Sequence, residues 1–197
     1  MVRPGSFRKV AGPALAFAVW AGAAGAAGPD PWFDAAVRDA IAACAEGHDG
    51  TEAIRTKARS LGWPAFESDP PKYGYSEWSS FRERDAGGRP FLMLKVGERT
   101  VDLKGWRIVH IACVTGGMEP LDGLLRRELA TRYPGFAGKD WWGLREADGS
   151  IREVPAPKPR DVDARVNALH RDQRLVMVEM PSTEGAFAAV RYYQQAK

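Results

Sequence analysis

From Asp30 onward the apolar positions follow first a helical period and then a strand period. Asp30 offers a side-chain acceptor to the free N–H groups of a first turn, and Pro31 suits the first helical position. Phe33, Val37, Ile41 and Cys44 follow at spacings of four, four and three, which places them on one helix face. Gly47 suits the stop. A second helix is predicted over 51–61, with Ile54, Ala58 and Leu61 inward and Gly62-Trp63-Pro64 ending it. Two short helices joined by a few residues predict an antiparallel pair, whose apolar faces need a sheet to rest on.

The pattern then changes. Residues 75–84 and 91–96 read as strands joined by a turn-rich Asp85-Ala86-Gly87-Gly88-Arg89-Pro90, and 100–103 can pair again. Residues 106–114 are apolar on both faces, which predicts a central strand. Leu121, Leu124, Leu125 and Leu129 form a helical stripe within 120–131, and Val162, Val166 and Leu169 suggest a short helix over 161–170. Residues 174–180 and 186–193 flank Pro181-Ser182-Thr183-Glu184-Gly185 and predict a closing hairpin. Helices first and then mainly hairpin-connected strands make the fold class α+β: an N-terminal helical hairpin packed on a mainly antiparallel sheet, with one further long helix.

The first 27 residues stand apart. Arg3, Arg8 and Lys9 form a basic head, residues 10–27 carry no charge, and Ala24 and Ala26 supply the small side chains of a signal-peptidase exit. This order predicts a cleaved signal peptide over 1–27 and a single α+β domain over 28–197. The competing reading is an uncleaved anchor, because the apolar run approaches the length of a spanning helix. Ala and Gly retain a segment weakly in lipid, so no stable membrane insertion is expected after cleavage. The predicted location is periplasmic or secreted.

Removing the segment also changes the charge. The chain is formally +3, with 28 basic and 25 acidic residues, and three of the basic residues precede Asp30, the first acid. The remaining domain is formally neutral, so the basic footprint of a nucleic-acid binder is absent and no nucleic acid is expected as partner. Cys44 and Cys113 are the only cysteines, one on the inner face of the first helix and one on the presumed central strand. In an oxidising compartment such a pair is expected to form a structural disulfide rather than two free thiols.

Candidate chemistry is sparse. His48, His110 and His170 are the three histidines. His48-Asp49 matches half of the HD phosphohydrolase signature, but no histidine lies upstream, so His48 is read as part of a helix-to-helix turn. His110 is expected to be a buried neutral imidazole. It lies three positions from Cys113 on a strand, so the two side chains point to opposite faces and make no dyad. Thr115-Gly116-Gly117 before a helix offers backbone N–H groups to an anion, or serves simply as a strand-to-helix turn. Asp161 and Asp163 can share a cation or answer a helix dipole. None matches a catalytic, metal or cofactor motif, and no catalytic residue, metal or cofactor is assigned.

The aromatic residues carry the remaining signal. Trp141-Trp142 follow a loop rich in glycine and proline, and neighbours on an extended segment alternate faces, so one indole is left to stack on a sugar or anchor a protein contact. If the loop folds back, both rings pack. Tyr73, Tyr75 and Trp78 form a second aromatic stretch.

The run 33–44 with its cysteine, the glycine turn after it and the segment Ala58 to Gly62-Trp63 resemble the start of uncharacterised exported bacterial proteins with a cysteine-bearing first helix. That resemblance implies export and a disulfide, and brings no activity. The expected function is a non-catalytic envelope or secreted module that binds a protein or a glycan through Trp141 and Trp142. The alternative is a periplasmic hydrolase whose site is assembled from distant residues.

Overall fold

The computed structural model describes residues 30–72, 74–84, 91–103, 106–117, 121–138, 140–156, 175–180 and 187–195. The segment 1–27, the 85–90 and 181–185 turns, Tyr73, His170 and the 161–170 helix lie outside the described residues. The described residues form an α+β structure, mostly sheet, with α1 at Pro31–Cys44, α2 at Thr51–Ser60 and α3 at Asp122–Arg132. The strands are β1 Glu67–Lys72, β2 Tyr75–Glu83, β3 Phe91–Leu103, β4 Trp106–Gly117, β5 Trp141–Arg145, β6 Ile151–Glu153, β7 Leu175–Glu179 and β8 Phe187–Gln195.

Asp30 caps α1 through its carboxylate, which accepts from the backbone N–H of Trp32 at 3.0 Å. Beyond Cys44 the chain tightens into a single 3-10 turn, Ala45–Asp49, so Gly47 sits inside a turn rather than just after the helix. At the end of α2 the N–H of Trp63 bonds back to the carbonyl of Ala58, and Gly62 takes the left-handed φ of 83° that this reversal requires.

All strand pairs are antiparallel, in the order β1-β2-β3-β4-β8-β7-β5-β6. β4 is internal, as its two apolar faces require. β3 is one continuous strand where the sequence suggests two pieces. Its charged residues Glu98 and Arg99 remain in register with Ile111 and His110 of β4, so polarity on a sheet face does not interrupt the ladder. β1, β5 and β6 are additional to the predicted strands. β1 carries Pro70 and Pro71 at an irregularity in its register with β2, a composition allowed only on an edge.

The core lies between the helices and one face of the sheet. Phe33, Val37, Ile41, Ile54 and Ala58 share it with Leu92, Leu94 and Val96 of β3, Ile111 and Cys113 of β4, Val176 and Val178 of β7, and Val190 and Tyr192 of β8. Leu121, Leu125, Leu129 and Tyr133 add the contribution of α3 and its C-terminus. Cys44 and Cys113 are joined by a disulfide with a Cα–Cα distance of 5.4 Å, so α1 is bonded to an internal strand.

Tyr192 completes this junction. Its hydroxyl donates to the carbonyl of Cys44 at 2.7 Å and lies 3.3 Å from that of Tyr133. Its ring also packs on Gly47, where a Cβ would stand 2.2 Å from Cε2. Complete burial holds the Tyr192 phenol well above its ordinary range, and burial pushes Tyr133 up to about 12.

Candidate functional site

Strand alternation leaves a second sheet face on which no described helix packs. On β4 the side chains of Val109, Ile111 and Cys113 turn to the core, so Ile108, His110, Ala112 and Val114 turn away. The register carries this face across neighbouring strands. Arg99, His110, Tyr193 and Leu175 are successive partners in one row. Glu77, Gly97, Ala112, Arg191, Met177 and Trp142 form the next. Ser79, Lys95, Val114, Ala189 and Glu179 form a third, and Phe81, Met93, Gly116 and Phe187 a fourth.

One end of this face is aromatic. The rings of His110 and Tyr193 are parallel with centroids 4.6 Å apart, and Trp142 lies nearly parallel to Tyr193 at 6.4 Å. Tyr75 meets His110 edge-on, and its hydroxyl shares a 2.6 Å hydrogen bond with His110 Nδ1. The Arg99 guanidinium lies over the Tyr75 ring at 4.6 Å. Burial raises the Tyr75 phenol above its usual value and pushes Tyr193 up to about 12, so both are neutral at physiological pH.

The middle of the face is ionic. Arg191 Nε bonds Glu179 at 2.5 Å. Lys95 Nζ lies 2.7 Å from Glu77 and 3.2 Å from Asp69, and Ser79 Oγ donates to Asp69 at 2.5 Å. Ser79 and Lys95 are cross-strand partners, the pairing a serine–lysine nucleophile would use. Their electrostatics oppose that chemistry. The hydrogen bond to Glu77 raises the Lys95 ammonium, whereas those from Ser79 and Lys95 lower Asp69. Lysine therefore stays charged, and the serine hydroxyl is engaged by a weakly basic carboxylate.

The far end is apolar. Phe81 is 48 % exposed and Phe187 37 %, Met93 lies between them in the register, and Phe91 meets Phe81 edge-on at 5.9 Å. No protein-family model, curated protein or solved structure matches the chain. The surface must be read from its own residues.

The extended form of β5 separates the paired tryptophans. Trp141 is buried in the core at 4 % exposure, beside Tyr133, whereas half-buried Trp142 stands on the opposite face beside Tyr193. The ring of Trp141 is therefore not presented to a ligand. Close approach of Gly143 permits its packing: a Cβ there would meet Trp141 Cη2 at 2.3 Å. Tyr75 and Trp78 also part, Trp78 turning to the helix side under the Arg55 guanidinium at 4.5 Å.

His110 is buried, and its side chain lies on the face opposite Cys113, which is committed to the disulfide. Gly116 and Gly117 are strand residues paired with Phe187 and Leu92, not a turn, so their backbone is engaged in the ladder rather than cradling an anion. Asp161 and Asp163 lie outside the described residues. The sequence reading singles out Trp142 and Tyr75 but not Tyr193, Phe81, Met93 or Phe187. Alternation along 75–83 and 187–195 was the available signal, and only cross-strand register turns it into a surface.

Proposed function

We propose that the domain is a non-catalytic module of an exported protein and binds a protein partner through the sheet face opposite its helices. The observation that carries the reading is the pair of exposed phenylalanines Phe81 and Phe187, aligned through half-buried Met93 on the same face as Trp142 and Tyr193. Exposed aromatic residues rimmed by paired charges have the make-up of a protein interface, with anchors surrounded by groups that exclude water. In this reading an N-terminal helical hairpin supports the sheet from behind and leaves the other face to the partner.

A protein is preferred to a glycan for a geometric reason. Sugar stacking needs a free ring face, and Tyr193 lies between His110 and Trp142 with its faces turned to them. The hydrolase reading gains little from the Asp69–Ser79–Lys95–Glu77 cluster, whose shifted groups move away from neutrality.

The test is photocrosslinking in the native cells, with the reactive side chain placed at Phe81, at Trp142 or, as control, at Glu52 on the helix side. One partner captured from the first two positions, and lost from the Phe81 probe on Trp142→Ala and from the Trp142 probe on Phe81→Ser, supports the reading. Equal capture from Glu52 would overturn it. Binding of the purified domain to a glycan array, abolished by Trp142→Ala, would replace the protein by a sugar.

A further inference from the structure

The 3-10 turn between α1 and α2 holds a second cluster, remote in function from the sheet face. Glu46, His48 and Asp49 each direct a donor atom into one small volume, all within 4.8 Å of one another. His48 Nδ1 lies 3.0 Å from the carbonyl of Ala45, a geometry in which it carries the proton and donates. The other nitrogen, Nε2, lies 2.9 Å from Asp49 Oδ2, a contact bridged by a proton in the ion pair, and that proton holds the position a metal ion would take. A backbone carbonyl fixing the far nitrogen of an imidazole is the arrangement that prepares histidine as a metal ligand.

The backbone of this turn is also held from outside. Gln194 Nε2 donates to the carbonyls of His48 at 2.6 Å and Gly47 at 3.3 Å, and the Tyr192 ring fills the space beside Gly47. The turn is thus tied to β8, so the imidazole approaches the carboxylates from a fixed base. Glu46 and His48 are half-buried while Asp49 is exposed, which leaves one side open to water.

We propose that Glu46, His48 and Asp49 bind one divalent transition-metal ion, with Zn2+ the best match. One neutral imidazole and two carboxylates suit zinc in kind and offset its charge. Donors around a tetrahedral zinc stand about 3.4 Å apart, from bonds of about 2.1 Å. Binding the ion draws the Glu46 and Asp49 carboxylates in from their present spread of up to 4.8 Å toward that spacing. Water completes the coordination. The ion would clamp the α1–α2 connection, a role separate from partner binding.

The experiment is calorimetric titration of Zn2+ into tag-free, chelator-treated protein, with Co2+ absorption to report coordination. One equivalent of zinc binds, the melting midpoint rises with zinc concentration, and acid weakens binding because the imidazole must be neutral. His48→Ala abolishes the isotherm, Glu46→Gln and Asp49→Asn each weaken it about tenfold or more, and His170→Ala leaves it unchanged. The two carboxylate variants decide the matter should His48→Ala fail to fold. No saturable heat at large molar excess of zinc, or an isotherm unaltered by these three substitutions, overturns the proposal.

Discussion

Replacing Cys44 and Cys113 together by alanine removes the covalent tie between α1 and β4 without burying a new polar group. The cysteines are 69 positions apart, so the tie closes a loop of about 70 residues in the unfolded chain. The chain-entropy relation gives roughly 15 cal/mol/K for that closure, or about 4.4 kcal/mol at 25 °C. Both side chains are fully buried, and losing the sulfurs adds on the order of 1 kcal/mol in packing. The expected destabilisation is about 4–6 kcal/mol, a large share of the stability of a domain this size, and lowers the melting midpoint by roughly 10–20 °C.

Equilibrium unfolding in guanidinium, followed by tryptophan fluorescence, measures the loss, and wild-type protein under reductant gives an independent estimate. The denaturant slope is expected to rise in the variant, because its unfolded chain is free to expand. Most of the effect belongs in slower refolding if the bridge acts by restricting the unfolded state. A folded double variant losing less than about 1 kcal/mol would refute the loop-closure reasoning. Loss confined to faster unfolding would assign the bridge the role of a late native contact. Intact mass should rise by two hydrogens on reduction.

Trp141→Ala is expected to cost about 3–5 kcal/mol by opening the core, whereas Trp142→Ala costs much less and acts on partner binding, as denaturation and crosslinking together will report. Among the described residues no acceptor meets the buried Trp141 Nε1, so Trp141→Phe should be far milder than Trp141→Ala in the same assay. Gly47→Ala drives a methyl group into the Tyr192 ring and should destabilise by roughly 1–3 kcal/mol, read from the denaturation midpoint. Burial raises the phenols of Tyr133, Tyr192 and Tyr193 in the folded state, so the native protein binds more protons than the unfolded chain above pH 10. Their contribution is complete below pH 10 and is lost as pH rises toward 12, which tyrosinate absorbance and unfolding free energy measured in parallel will follow.

Local chemistry explains which parts of this molecule are legible in sequence. The cap at Asp30, the inward stripe of α1 and the internal place of β4 depend on neighbours along the chain and on polarity period, and each has a recognisable pattern. The location of Cys44 and Cys113 on buried faces follows from the same patterns. β1 has two prolines and β6 only three residues, so neither has a run from which a strand period can be read. The candidate surface was harder still. Phe81 and Phe187 are 106 positions apart in sequence and meet in one row only because β3 and β4 stand between their strands in register. Tyr192 and Tyr193 are adjacent, yet alternation sends one to the disulfide junction and the other to the aromatic stack.

The two edges of the sheet carry a further consequence. An unpaired strand edge is a template on which another chain can polymerise. Among the described residues the sheet ends in β1, whose Pro70 and Pro71 have no N–H to offer an incoming strand, and in β6, a ladder of only three residues. Both ends therefore resist runaway strand addition, and the broad sheet keeps an apolar surface without becoming the seed of a fibre.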